Sequence, residues 1–354
     1  GNCDDCDEGD IGDRIVFVTP LVGHLFAVAY DLSATGALLR RKTGTRELDV
    51  DPSDDVRSLT FAVLRYRSPL ARKRRASAGK MTFEYGAYLV HRWQNRDLPT
   101  TYLAAEGDAP LSAAQIMARG YRTTGGDAWL RLTTQTLRVE LEAALLVARF
   151  DQASLIPGVL LRDPVESRQF GAALESEWSV IEGALAIGLD LGFASGDPAP
   201  GFGAVVGPTD GPGQPGDREG AQVSPPLDNR IDNFRFNRDY RIDRILFREI
   251  VGTVTDAYYL RPHAEWSFAR LGHGAFFVGV AAIASFAVEA ASTPGGKAPL
   301  GLELDPTFGY ASDDGFRAKL EYAVLFPFSG LDNPSAGLDA RAAQLLRAQL
   351  VYAF

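Results

Sequence analysis

Side chains on a β-strand alternate between two faces, and this sequence carries that two-residue period through one segment after another. Met81, Phe83, Tyr85, Ala87 and Leu89 form one row, against Lys80, Thr82, Glu84, Gly86, Tyr88 and Arg92. Leu137, Val139, Leu141, Ala143, Leu145 and Val147 stand against Arg138, Glu140, Glu142 and Ala144. Ile181, Gly183, Leu185, Ile187, Leu189, Leu191 and Phe193 stand against Glu182, Ala184, Ala186, Gly188, Asp190 and Gly192. Near the end, Phe316, Ala318, Leu320, Tyr322, Val324, Phe326 and Phe328 oppose Arg317, Lys319 and Glu321. One row suits hydrocarbon and the other suits water. A soluble sandwich shares this alternation, so strand length has to separate the two. These segments run for about ten residues or more, the length a tilted strand needs to cross a bilayer, whereas ordinary strands cluster around five or six. Aromatic residues gather at segment ends, as in Tyr88 and Trp93, Phe170 and Trp178, Tyr258 and Trp266, Tyr310, and Tyr352 and Phe354. Interfacial girdles have that placement.

Strands are predicted near residues 13–31 (bent or split around Pro20 and Gly23), 54–67, 80–93, 126–135, 137–150 and 166–178. Six more follow near 179–193, 255–269, 274–289, 299–311, 315–328 and 340–354. Short turns at 134–136, 176–179, 271–273 and 312–315 then share one side with the connection 68–79, whose Arg72, Lys73, Arg74 and Arg75 read as a solvated turn. Longer connections at 32–53, 94–125, 151–165, 194–254, 290–298 and 329–339 fall on the other side. Tight turns on one face and long loops on the other are the habit of bacterial barrels. The expected fold class is therefore all-β, a transmembrane antiparallel up-and-down β-barrel of about 12 visible strands. The whole chain, 1–354, reads as one domain in which 194–254 is a long outer loop, folded into the pore or bound to neighbouring loops. The chain opens on Gly1 with no signal peptide before the first strand pattern. That fits a processed or truncated product, and allows about 14 to 16 strands in all.

Composition removes several other classes. The 36 Lys and Arg against 45 Asp and Glu give −9, which argues against nucleic acid as a main partner. The longest uncharged run, 274–288, is shorter than the roughly 18 apolar residues of a spanning helix. Cys3 and Cys6 are the only cysteines, read as a disulfide or as two plain thiols, and no zinc spacing accompanies them. Asp4, Asp5, Asp7, Glu8, Asp10 and Asp13 surround them. Oxygen ligands at that density can bind calcium, but the spacing lacks a full EF-hand loop, and a solvated acidic turn is the plainer reading. His24, His91, His263 and His273 are the only imidazoles, and no nucleophile elbow, zinc helix or phosphate loop is present. No catalytic residue, metal or cofactor is expected, and the chain does not read as an enzyme.

At the end of the chain Leu346, Ala348, Leu350, Tyr352 and Phe354 alternate with Arg347, Gln349, Val351 and Ala353. This resembles the carboxy-terminal signal of outer-membrane barrel proteins, a terminal Phe preceded by apolar residues at every second position. The resemblance implies that Leu350, Tyr352 and Phe354 are read by the barrel-assembly machinery. Residues 191–198, LGFASGDP, resemble a strand end leading into an outer loop in alginate-export-type porins. The run 233–252, taken with the acidic 9–14, is similar to uncharacterised myxobacterial-type outer-membrane proteins. The known alginate exporter is longer with more strands, so its substrate is not carried over.

The candidate site is the inward row taken as a set, because a barrel of this size encloses water. Its charged members are Lys80, Glu84, Arg92, Asp127, Arg131, Arg138, Glu140, Glu142, Glu175, Glu177, Glu182 and Asp190. Later strands add Arg261, His263, Glu265, Glu289, Glu303, Asp305, Arg317, Lys319, Glu321, Arg341 and Arg347. Such charges either screen permeants by sign and size or pair across strands and fill the bore; both can hold in one barrel. Arg241, Arg244 and Arg248 fall at helical spacing beside Ile242, Ile245, Leu246 and Ile250. They suggest a short amphipathic element whose arginines face the opening and grip carboxylate or phosphate. The expected function is an outer-membrane channel for small hydrophilic solutes in a Gram-negative bacterium, with membrane lipid as its surroundings. The alternative is a non-conducting structural or docking barrel that binds surface polysaccharide or a protein partner.

Overall fold

The structure is a computed structural model that describes residues 13–33, 55–97, 116–153, 160, 163–181, 183–202 and 229–352. Cys3, Cys6 and the acidic residues Asp4, Asp5, Asp7, Glu8 and Asp10, together with Glu182, the Gly/Pro-rich stretch 203–228 and Phe354, fall outside those residues.

The fold is all-β, with one antiparallel up-and-down sheet of 13 strands in sequence order. The strands are β1 (Asp13–Leu21), β2 (His24–Ser33), β3 (Val56–Arg65), β4 (Thr82–Asp97), β5 (Met117–Thr133), β6 (Leu137–Phe150) and β7 (Val165–Ile181). They continue as β8 (Leu185–Ala194), β9 (Ala257–Leu271), β10 (Gly274–Ala287), β11 (Pro299–Ser312), β12 (Phe316–Pro327) and β13 (Ala343–Tyr352). The thirteenth strand arises where one was expected near 13–31. Val22 and Gly23 both take positive φ, 50° and 74°, the requirement of a two-residue hairpin turn, and Leu21 pairs directly with His24. The turn expected at 176–179 instead follows Ile181, with Gly183 at φ 68°, and residues 176–179 stay paired within β7. The connection 68–79 holds a helix rather than a plain turn: α1 (Pro69–Ser77) starts on a Ser68 side-chain cap with Pro69 in its first turn, a favoured pairing of cap and first residue.

An odd strand count makes β1 and β13 run in the same direction, and among the described residues no ladder joins them, so the sheet is not closed. It nevertheless curls far enough that Tyr88 of β4 and Arg347 and Gln349 of β13 line one cavity. β1 is exposed on both faces, with Ile15, Val16, Phe17 and Val18 all open.

Elsewhere the two faces differ as the alternation demands. On β13 the outward Leu346 and Leu350 are 70% and 76% exposed, whereas the inward Glu321 of β12 is 4% exposed and paired to Arg347 at 2.5 Å. A soluble surface rarely carries so much contiguous apolar area. Outward aromatics form two belts. Toward the tight turns Trp266, Phe268, Phe276, Phe308, Tyr310 and Phe316 touch in series. Toward the long loops stand the pairs Tyr30–Trp93, Phe170–Phe193 and Tyr258–Phe286. On β9 the belts are marked by Tyr258 and Trp266, a separation of roughly 26 Å along the strand at ~3.3 Å per residue.

Two apolar cores sit on the inner face. Ile242, Ile245, Leu246, Phe247, Val251 and Val254 of the segment 229–256 pack on Tyr259, Ala281, Ile283, Leu300, Ala323 and Leu325 of β9–β12. Val56, Tyr121, Ala148, Phe150, Val165 and Ile231 form the second, at the long-loop end of β3–β7. The first core explains the uncharged run 274–288: β10 has apolar side chains outward, and inward it is covered by the segment. Among the described residues no helix is long and apolar enough to cross a membrane.

Candidate functional site

The inner rows of β4–β7 carry a run of charges toward the tight turns, and those charges bond sideways. Glu84, fully buried, accepts from Arg131 Nε at 3.0 Å and from the Arg67 backbone N–H at 2.6 Å, with Arg72 of α1 at 3.4 Å. Arg131 also reaches Glu140 at 3.7 Å, Glu140 accepts from Trp129 Nε1 at 2.6 Å, and Arg138 links Glu140 to Glu175 at 3.2 Å. The result is a belt of alternating sign across four strands, anchored by α1 near the tight turns, where Arg75 donates to Thr82 Oγ1 at 3.2 Å. Arg92 donates to Ser58 Oγ at 3.1 Å. At the long-loop end the buried Arg119 pairs with Asp97 and donates to the Gln152 carbonyl.

On the other arc the segment 229–256 folds inward and is held by the wall through its backbone. The Glu303 carboxylate of β11 accepts the N–H groups of Arg244, Ile245 and Leu246 at 2.9, 2.8 and 3.0 Å. Asp243 accepts those of Phe247 and Arg248 at 2.7 and 3.1 Å, capping a single π-helical turn, Leu246–Ile250. Its carboxyl is pushed well above the usual range, first by burial and then by the facing Glu303 and Asp305. Arg244 does not point at an opening as the sequence suggested. Its guanidinium turns to the wall, donating to Glu321 at 2.9 Å and Thr307 at 2.8 Å and pairing with Asp305 at 3.3 Å. A carboxylate-lined wall is a lower-energy place for a half-buried arginine than an apolar one. Arg241 pairs with Asp239 at 3.7 Å and Arg248 with Glu249 at 3.4 Å. Where the segment meets β9, Asp256 sits at φ 46° and accepts from Glu289 N at 2.8 Å and from Ser292 Oγ. Burial pushes its carboxyl up to about 6.

Between the segment and the wall lies a cavity of about 830 Å³. Of the residues picked out by sequence, Asp127, Glu142, Glu175, Asp190, Arg241, Arg244, Arg248, Arg261, Asp305, Lys319, Glu321 and Arg347 line it. Asp190 is bonded to Arg261 at 2.5 Å, with His263 at 3.4 Å. Lys80, Glu265 and Arg317 are exposed and do not line the cavity. Glu303 and Glu84 are buried beneath other elements. Leu350 and Tyr352 are outward and exposed on β13. The cavity also takes Tyr88, Arg235, Asp239 and Asp243. Sequence reasoning passed over Asp97 and Arg119, because β4 and β5 continue past the apolar band as polar strands, over Asp243, whose partners are backbone amides of the turn that follows it, and over Asp256, whose partners lie in the loop after β10.

No family model matches the chain, and no curated protein does. Solved structures similar to it include CdiB from Escherichia coli, at 13% identity over 96% of this chain and 59% of that one, with a TM-score of 0.29. They also include the Pseudomonas putida toluene transporter TodX, at 12% identity over 96% of this chain and 80% of that one, with a TM-score of 0.26. The chain thus spans under two thirds of the first of these. At such scores the likeness carries no argument, and function has to be read from the molecule's own geometry.

Among the described residues no group of three His, Cys, Asp or Glu side chains is arranged to hold a metal.

Proposed function

We propose that this chain is a bacterial outer-membrane channel of porin type, through which small hydrophilic solutes pass by way of the cavity beside the segment 229–256. The observation that carries the reading is one wall with two solvents: an outward apolar face between aromatic belts, and an inward charged row around a cavity of about 830 Å³. On strands tilted by ~40° the belts stand about 20 Å apart along the membrane normal, comparable with the ~25 Å apolar band of spanning barrels. Leu350, Tyr352 and Phe354 serve assembly into that membrane. The alginate-export-type and myxobacterial-type likenesses add no solute to this reading.

The alternative, a non-conducting docking barrel, draws on the ion pairs that fasten the segment to the wall. Planar-bilayer recording separates the two. Stepwise conductance from the full chain supports a channel, and its reproducible absence favours docking. Deleting 230–250 raises the step severalfold if the segment sets the aperture, and an unchanged step removes that role.

A further inference from the structure

The basic run at the end of β3 takes no part in the cavity. Residues 65–80 hold Arg65, Arg67, Arg72, Lys73, Arg74, Arg75 and Lys80, and no Asp or Glu. Arg72 and Arg75 are turned to the protein itself. Arg72 donates to the Arg67 carbonyl at 2.8 Å and reaches Glu84, while Arg75 donates to the Met81 carbonyl at 2.7 Å and to Thr82. The other five are exposed, and among the described residues no ion pair engages any of them. Leu70, Lys73, Arg74 and Ser77, three, four and seven places along α1, share the helix face opposite the one held by Arg72 and Arg75. On that face Leu70 is 57% exposed.

The patch is continuous with the lipid-facing surface. Arg65 lies on the outward row in register with Tyr85, its guanidinium 6.0 Å over that ring, and the Tyr85 hydroxyl bonds to His24 Nε2 at 2.6 Å. Met81 and Phe83 are exposed on the same side of the sheet. Since α1 joins the tight-turn ends of β3 and β4, its cations stand at the depth of the membrane's polar surface. The rim is not basic throughout: the turn between β11 and β12 exposes Asp313 and Asp314. The positive charge is therefore confined to the β3–β4 side.

Resting on the membrane placement in the channel reading and not on conduction, we propose that this patch holds anionic phospholipid headgroups in the leaflet at the tight-turn side. Clustered Lys and Arg beside a bilayer attract lipid phosphates, and their long stems let the charge reach the interface. An apolar side chain among cations, as Leu70 is, suits an element lying at that interface. A soluble acidic partner would gain from the charge of α1 but make no use of the outward Arg65.

The test uses the full chain in phosphatidylcholine vesicles. Spin-labelled phosphatidylglycerol and phosphatidylcholine with identical chains are the probes, and the motionally restricted fraction of each is the readout. Phosphatidylglycerol is expected to be favoured about twofold at about 20 mM NaCl, falling to near parity at about 1 M NaCl, where screening is strong. The variant Arg67→Gln/Lys73→Gln/Arg74→Gln/Lys80→Gln, which keeps Arg72 and Arg75 in place, is expected to reach parity in low salt. Lys73→Gln/Arg74→Gln, confined to the exposed helix face, is expected to lower the preference part of the way. Equal association of both lipids with the unaltered chain overturns the inference and leaves the membrane placement standing. So does a preference that survives the quadruple variant, or binding of soluble polyglutamate without any lipid preference. A chain that stays in solution without detergent and enters no vesicle overturns the inference and the membrane placement together.

Discussion

The arcs β4–β7 and β9–β12 are built from the same alternating strands, yet they treat the inner face in opposite ways. On β4–β7 the inward charges nearest the tight turns bond across neighbouring strands, Glu84 to Arg131, Arg131 to Glu140 and Arg138 to Glu175, so that stretch of wall satisfies itself. On β9–β12 the inward row turns apolar at Ala281, Ile283, Ala323 and Leu325, and it is satisfied by the segment that packs on it. The difference teaches that the inner face of a curled sheet is not polar as such. Its chemistry follows whatever lies against it, water and lateral ion pairs on one arc and a folded-in apolar segment on the other.

The most forceful way to break this contrast is Leu246→Asp. Leu246 is 1% exposed against the apolar arc, and a lone carboxylate there costs at least about 3 kcal/mol unless the segment lifts away. The expected outcome is trypsin cleavage at Arg244 and Arg248 and a larger conductance step, with the β-sheet circular dichroism unchanged. A sheet that melts instead shows that the segment is part of the wall's own stability. Arg131→Met addresses the self-satisfied arc. It takes from the fully buried Glu84 its nearest cation, leaving the Arg67 N–H and the more distant Arg72, and should lower stability by about 2 kcal/mol, read as a lower thermal unfolding temperature with unaltered protease resistance of the segment. The smallest effect is expected at the junction of the two systems. The Asp256 carboxyl is pushed from 3.8 up to about 6, so the folded protein retains a proton that the unfolded chain has released. Its contribution to stability is therefore greatest below the ordinary carboxylate value and is lost as pH rises through about 6, because the ionised group is costly to keep desolvated. Amides 288–293, corrected for intrinsic rate, should exchange faster at pH 8 than at pH 5, and Asp256→Asn should abolish that difference.

Much of the sheet was legible because hydrocarbon and water impose a period of two wherever a strand separates them. β6, Leu137–Phe150, falls where the alternation placed it. The reading faltered where that separation ends. β4 and β5 run on through Asp97 and from Met117 as strands with polar residues on both faces, which sequence cannot tell from loop. Val22–Gly23 lacks the Asn or Asp that usually announces a tight hairpin, so Pro20 and Gly23 left open whether 13–31 bends or splits. Ser68 followed by Pro69 was a usable signal for α1, outweighed by the basic run after it. In the candidate site, the amphipathic character of 241–248 was visible, since Ile242, Ile245 and Leu246 are buried. What no local pattern holds is the choice of Glu303, Asp305 and Glu321 as partners, because those contacts are made across 57 to 77 positions of chain.

Two edges pointing the same way carry a mechanical consequence. Any bonding of β1 directly to β13 has to be parallel, with slanted, evenly spaced hydrogen bonds that hold slightly less firmly per residue than the antiparallel ladders elsewhere. A cylinder closed in that manner has one line of weakness built in lengthwise, and under heat or force it would unzip there before any other pair of staves comes apart.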